Sequence, residues 1–533
     1  MNTTTLTREI NTIAQVPEIA GKYFASKAAL IIDDREVTFA EINARSNTIA
    51  NALLREGVQA GDRIVYLGRD SAETVLLLFG AARSKAVFVN INWRFGPEEI
   101  AYILNDAAPH LLFVDEEFLR ILPKISHAAS GAKRIVVSSN KIPGHQTLWE
   151  WCEGQADSAP QMNYSPDDVV MQLYTSGTTG HPKGVRLASR SFFALVQQME
   201  AAGDSWVNWT EATVSLICVP TFHVAGVWQV VRGLALGSTT VMMRSFDPAA
   251  ILRLIPKYRV SLTGMVPSML YVTLSEPGCT TADFSSLKTI VYGGAPVSAA
   301  LLKKAMSVFG CDFFQIYGLT ETGNMAVCLR AEDHLDGNEH RLTSAGRPLP
   351  GVEVRILDER GSSVGPGVLG QIAIQSPARM VGYWSLAEDT RKTLVGTWIM
   401  TGDVGRMDEH GYIYVCDRTK DMIIAAGENI SPAEIESVIR TQDGVADVAV
   451  IGVPHDLWGE VVKAIVEPRP GRQVLPGEII KHTRAHLAEF KVPRSVDVVE
   501  ALPRNASGKV LKRKLRERYW EGASAGLTDL RAQ

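Results

Sequence analysis

The chain lacks any excess charge of one sign. Its 533 residues carry 54 Lys and Arg against 58 Asp and Glu, a formal net charge of −4, so no phosphate-backbone footprint is visible and no nucleic-acid partner is expected. Cysteine is scarce and scattered. Cys152, Cys218, Cys279, Cys311, Cys328 and Cys416 show neither CxxC nor Cys/His metal spacing, which points to buried thiols in a reducing compartment. Long apolar runs are absent too: stretches such as Val75 to Ala82 fall well short of the ~20 residues that span a bilayer. The N-terminus, MNTTTLTREINTIAQVPEIA, has no apolar core of a secretory leader. There are no internal repeats and no low-complexity tracts. These absences predict a soluble, cytoplasmic protein without a transmembrane segment; peripheral membrane contact and homo-oligomerisation stay open.

What is present is an enzyme-sized chain with ordinary globular composition, 46% hydrophobic and 21% charged, long enough for two or more domains. Short β-branched runs end in Gly, Pro or Asp and give way to helical periodicity. Arg63 to Gly68 precedes the apolar-striped Ser71 to Ala82, and Ala86 to Asn92 precedes Pro97 to Leu104, where proline sits just inside a helix start. Thr213 to Pro220, Thr239 to Met243 and Thr289 to Tyr292 repeat the strand pattern. Strands alternating with helices predict an α/β fold, with layered parallel sheet covered on its faces. After Ile399 the character changes to closely spaced strands, then the charged pentad Asp417-Arg418-Thr419-Lys420-Asp421, then a compact α+β unit. Its predicted elements are a helix at Pro432 to Arg440, strands at Val445 to Gly452 and Glu460 to Val466, and a helix at Gly477 to Leu487. The expected domains are 1–417 and 418–533.

The strongest local signal is Tyr174 to Val185, YTSGTTGHPKGV. Three glycines let backbone N–H groups point into one concave nest, four hydroxyls add donors, and Lys183 supplies a point charge: the requirements of a polyphosphate. The order is not a Walker A motif, because Pro182 stands where the second glycine belongs. Nor is Ser176 in a nucleophile elbow, since Tyr174 stands where that motif needs glycine.

This loop resembles the signature of the adenylate-forming superfamily, and the resemblance runs through most of the chain in order. Pro220-Thr221-Phe222-His223, Gly293-Gly294-Ala295-Pro296, Tyr317-Gly318-Leu319-Thr320-Glu321, Thr401-Gly402-Asp403, the pentad at 417–421, Gly427-Glu428-Asn429-Ile430 and Pro503-Arg504-Asn505-Ala506-Ser507-Gly508-Lys509 each match a family motif. Whole-chain character is similar to the bacterial fatty-acyl and feruloyl-CoA synthetase branch. The resemblance implies an AMP-forming acid–thiol ligase using ATP, Mg²⁺ and coenzyme A on a hydrophobic acid. A medium- or long-chain fatty acid is the favoured substrate, with an aryl or phenylpropenoid acid as the alternative.

It also implies roles. Thr175, Ser176, Gly177, Thr178, Thr179, Gly180 and Lys183 would hold phosphates; Gly294, Ala295, Pro296, Gln315, Tyr317 and Gly318 would frame adenine. Thr320 would touch phosphate and Glu321 the Mg²⁺, Asp403 and Arg418 the ribose, and Lys509 the reacting carboxylate and α-phosphate. His223 would gate the acyl/CoA junction, Lys420 would be a hinge, and Ala426, Gly427, Glu428 and Asn429 would face CoA. His223, Val224, Val227, Trp228, Tyr292 and Met325 would line the acyl pocket. Ala426 replaces a common glycine and Ser431 a common tyrosine, departures that touch the thioester step. Competing readings are a peptide-synthetase adenylation domain, a luciferase-like oxygenase, an acyl-AMP-forming enzyme with another acceptor, and a nucleotide-binding paralogue without catalysis. The first would want an aspartate where Val224 stands.

Overall fold

The computed structural model describes residues 9–520 apart from 126, 129–130, 139–140, 176–181, 205–206, 296, 298, 336, 338, 419–420, 422, 426–427, 456–458, 488 and 505–507. Two compact units emerge, residues 1–354 with 373–400, and residues 355–372 with 401–533. The chain passes from one to the other inside the strands Glu353–Leu357, Gly370–Gln375 and Trp398–Met407.

The first unit holds two large sheets. The strand expected at Arg63 runs Arg63–Leu67, its helix Ala72–Arg83, and the next pair Val87–Ile91 and Pro97–Ala107, with Pro97 at the first helical turn. These strands pair in parallel within a seven-stranded sheet, because each is buried on both faces and needs helices to cover it. Val65, Leu67, Val89, Ile91, Leu112 and Val114 pack there against the apolar stripe Ile100, Ile103 and Leu104. The second sheet has nine strands, its parallel centre running Thr239–Met242, Val214–Ile217, Leu262–Met265, Thr289–Gly293 and Asp312–Tyr317.

In the second unit, Val445–His455 and Gly459–Pro468 form a long antiparallel pair. Alternation along them sends Val448, Val450, Val462 and Val466 to one face, under Ile435, Ile439 and Ile479. Ala449, Ile451 and Ile465 face the other way, under Leu502 and Leu515. Both faces are therefore buried, and helices Pro432–Ile439 and Pro476–His486 stand where periodicity placed them. The basic terminal helix runs Lys512–Trp520, after Val510 bridges back to Arg504 and closes a turn. The fold is the expected α/β with a smaller α+β unit. Among the described residues no helix is long and apolar enough to cross a membrane.

Candidate active site

The phosphate-loop motif is flanked by two paired strands. Strand Val169–Thr175 pairs antiparallel with Lys183–Ala188, and the register sets Thr175 opposite Lys183. Ser176, Gly177, Thr178, Thr179 and Gly180 lie outside the described residues. Lys183 forms an ion pair with Asp389, its side chain only 13% exposed, and its ammonium lies 5.3 Å from the centre of the Tyr383 ring. Tyr383 reaches this place because the short strand Gly382–Tyr383 adds to the hairpin edge, opposite Val185 and Arg186. Its backbone N–H donates to Thr390 Oγ1 at 2.9 Å, which ties it to helix Ala387–Thr393, the helix that carries Asp389.

The Tyr383 hydroxyl donates to Glu321 Oε1 at 2.7 Å. Burial first, then the Glu321 charge, pushes the phenol pKa up, so Tyr383 stays a donor at any working pH. Glu321 itself sits in the helical turn Thr320–Thr322, half-buried beside Thr320. The turn closes at Gly323 with φ of 80°, where an added Cβ would come 2.3 Å from the Ala378 carbonyl. Thus the lysine and the carboxylate singled out by sequence are joined through Tyr383 and Asp389, which sequence reasoning missed. A lone tyrosine on a two-residue strand and one acid on a polar helix carry no motif of their own.

The two turns assigned to adenine are neighbours. Gly293 is in register with Ile316 on adjacent parallel strands, so Gly294 (φ 81°) and Ala295 emerge beside Tyr317 and Gly318 at the carboxyl ends, the usual ligand edge of such sheets. Pro296 lies outside the described residues. Gln315 accepts a hydrogen bond from the Tyr292 hydroxyl at 3.1 Å, and Tyr292 also bonds His334 Nε2 at 2.9 Å. Tyr292 is enclosed with Ile290, Met265, Leu302 and Phe313 in the core under the sheet's outer helices. The structure does not bring it together with Val224, Val227 and Trp228, which belong to helix Val224–Ala235. Val227 and Trp228 are buried, Trp228 edge-on to Trp209 with centroids 6.4 Å apart; Val224 is half-buried and Met325 buried.

His223 precedes that helix at its N-cap, with its ring 4.8 Å from Phe222. Burial, and then the charge of Arg94, lower its pKa to about 4, so the imidazole is neutral at pH 7. Two residues before it, Thr221 is gripped from beneath: Asp70 accepts from both its N–H and its hydroxyl, and Asn90 Nδ2 donates to Oγ1 at 2.9 Å. Burial lifts Asp70 to about 6 despite those bonds. Asp70 and Arg94 are further site neighbours that no sequence motif marked.

The second unit carries the remaining candidates. Asp403 lies buried in strand Trp398–Met407, its N–H donating to Thr401 Oγ1, and its register partner is Arg418. Lys509 is exposed on the turn closed by the Arg504–Val510 bridge and by Leu511 N–H donating to Pro503 O at 2.7 Å. Arg504 braces that turn, donating to Gly508 O at 3.1 Å and to Asp447 Oδ2 at 2.6 Å. Lys420, Ala426 and Gly427, and the side chains of Arg418, Glu428 and Asn429, lie outside the described residues.

Known proteins resemble this chain over nearly its whole length. The family model for AMP-binding enzymes matches residues 18–384, and that for the AMP-binding enzyme C-terminal domain matches residues 434–509. A fatty acid–[acyl-carrier-protein] ligase, ScoC of Streptomyces coeruleorubidus, is 40% identical over 512 residues, covering 96% of this chain and 97% of the relative. Feruloyl-CoA synthase of an Amycolatopsis species is 35% identical, over 91% of this chain and 94% of its own. ATP-bound MatB of Rhodopseudomonas palustris superposes with a TM-score of 0.85 at 29% identity, covering 95% of this chain and 99% of that one. The chain belongs to the family of AMP-binding enzymes, the adenylate-forming ligases whose motifs it carries.

Proposed function

We propose that this chain activates a largely apolar carboxylic acid with ATP and passes the acyl group to the thiol of coenzyme A. The observation that carries the reading is the joined set Lys183, Tyr383 and Glu321. In the first step a carboxylate oxygen attacks the α-phosphorus and the bond to pyrophosphate breaks. Two anions must meet, so the protein's work is positive charge and alignment rather than acid or base. Lys183 and the loop amides hold the β- and γ-phosphates, ATP displacing Asp389 from the lysine. Asp403 takes the ribose hydroxyls, and Lys509, presented by its braced turn, offsets charge between carboxylate and α-phosphate. In the second step the thiol sulfur attacks the acyl carbon and AMP leaves. Lys509 must then withdraw, which residues 418–533 achieve by turning about Lys420.

Mg²⁺ fits the residues present. Tyr383 occupies one oxygen of Glu321 and leaves Oε2 without a partner among the described residues, and Mg²⁺ needs only one or two carboxylates besides phosphate and water. Glu321 would hold it, and the ion would supply a hard positive charge against the triphosphate.

A second reading concerns the acceptor. The 40% identity to a ligase named for acyl-carrier protein, together with Ala426 in place of glycine in the loop assigned to CoA, favours a carrier-borne thiol as the alternative. One experiment separates them: incubate the protein with ATP, Mg²⁺ and a panel of fatty and aryl acids, alone, with CoA, or with phosphopantetheinylated acyl-carrier protein. Mass spectrometry then follows AMP and both thioesters. Acid-dependent AMP that rises with CoA and a matching acyl-CoA supports the first reading. Thioester on the carrier alone replaces it with the second, and no acid-dependent AMP sinks both.

A further inference from the structure

The two faces of the nine-stranded sheet are covered unequally. Ile290 and Tyr292 point into the core under the helices Pro248–Tyr258, Pro267–Ser275 and Ala299–Phe309, so strand alternation turns Val291 and Gly293 to the opposite face. Register places Ile217, Gly264, Val291 and Phe314 in one row across that opposite face. Gly264 and Val291 lie on interior strands of the sheet, where full burial is the norm, yet Gly264, Val291 and Gly293 are each only half-buried. A hollow reachable by solvent therefore lies against this row. Helix Val224–Ala235, which starts at His223, covers the same face, since a Cβ added to Gly264 would come 2.9 Å from Gln229 Oε1.

Gln229 is 6% exposed, in a helix whose neighbours Val227, Trp228, Val230 and Val231 are apolar and buried. Its Nε2 donates to the Leu216 carbonyl at 3.5 Å, and only the amide nitrogen can face a carbonyl, so Oε1 is the atom turned to Gly264. That oxygen accepts no hydrogen bond among the described residues. The next polar residue of the helix contrasts with it: Arg232, half-buried, is paired with Glu200 at 3.0 Å. An acceptor on the wall of a solvent-reachable hollow that no protein donor occupies is open to a ligand donor, which takes the place of water there. Six residues at ~1.5 Å each put Gln229 about 9 Å along the helix from His223, the depth of a short tail beyond the reacting carboxylate.

We propose that Gln229 is a specificity-determining residue of the acyl pocket, and that the preferred acid carries an O–H or N–H donor at the inner end of its tail. The proposal rests on the ligase reading above and narrows its substrate to hydroxylated or amine-bearing acids of modest length. Gly264 is the complementary element, keeping the space opposite Oε1 open.

Acid-dependent ATP–pyrophosphate exchange tests it, because that assay reads adenylation alone and is blind to the thiol acceptor. Matched pairs are 4-hydroxycinnamate against cinnamate and 8-hydroxyoctanoate against octanoate. The expected result is a kcat/KM for the hydroxylated acid about tenfold or more above its partner in at least one pair. The near-isosteric Gln229→Met should cut that ratio below about twofold while the deoxy acid keeps its rate or gains. Gly264→Ala, which leaves Gln229 in the chain but crowds Oε1, should also lower the ratio and serves if Gln229→Met does not fold. Exchange with both pairs within about twofold in the wild type, or a ratio that Gln229→Met leaves unchanged, overturns the proposal and leaves the ligase intact. Failure of every acid to support exchange overturns the ligase reading and this inference with it.

Discussion

Replacing Tyr383 with phenylalanine removes one hydroxyl and little else. The ring still packs on the hairpin edge, and the lost group is the donor to Glu321 Oε1 at 2.7 Å. A charge-assisted hydrogen bond of this kind contributes about 1.5–3 kcal/mol. Glu321 is half-buried, so water replaces part of that bond, and the discounted figure is roughly 1–2 kcal/mol. If the bond aims the second carboxylate oxygen at the metal–triphosphate, the loss appears where that complex is bound. kcat/KM for ATP should fall about 5- to 30-fold, with a higher Mg²⁺ concentration needed for half-maximal rate. Pyrophosphate exchange at several Mg²⁺ concentrations measures both. The melting temperature should move by less than about 4 °C, since no core volume is lost. Exchange within twofold of wild type, or a loss that simply tracks the fraction unfolded, would refute the positioning role of Tyr383.

Asp389→Asn frees Lys183 from its ion pair, so the KM for ATP should fall by about threefold; a KM that rises instead would make Asp389 part of the nucleotide site. Asp447 is held below the usual carboxylate range by Arg504 and Arg440 in spite of burial, and Asp447→Asn should loosen the Lys509 turn. Exchange should then slow by about 3- to 10-fold while thioester formation from preformed acyl-adenylate is spared; equal loss in both steps would reject the brace. Asp70 and His223 give opposite pH dependences. Asp70, raised to about 6, binds a proton more readily folded than unfolded, so its contribution to stability is full below about pH 4 and is lost as pH rises through 6. His223, lowered to about 4, contributes above about pH 6.5 and loses that contribution as pH falls toward 4. The two slopes offset in the wild type, so between pH 4.5 and 6.5 the urea midpoint should rise with pH in Asp70→Asn and fall with pH in His223→Gln. Parallel behaviour of the two variants would contradict the linkage.

Much of this was legible in the sequence because it is contiguous. Glycines, hydroxyls and Lys183 share one twelve-residue stretch of sequence, and the alternation of Arg63–Leu67, Ala72–Arg83, Val87–Ile91 and Pro97–Ala107 announces a parallel sheet. Tyr383 and Asp389 were not legible, because they arrive about two hundred residues after Lys183 by edge pairing, and pairing partners are not written in a local pattern. Tyr292 shows a different limit. Thr289-Ile290-Val291-Tyr292 is apolar at three successive positions because helices cover both faces of its sheet, and such a run does not say which face opens onto a pocket. The same ambiguity hid Gln229. In helix VAGVWQVVRGLA the apolar residues drew the assignment of the pocket, yet they fit core packing and pocket lining equally well. The informative residue is the polar one, because its amide nitrogen is spent on the Leu216 carbonyl while its carbonyl end faces the hollow with no donor among the described residues. Specificity in such a pocket therefore turns on a polar group to which the described packing brings no protein donor.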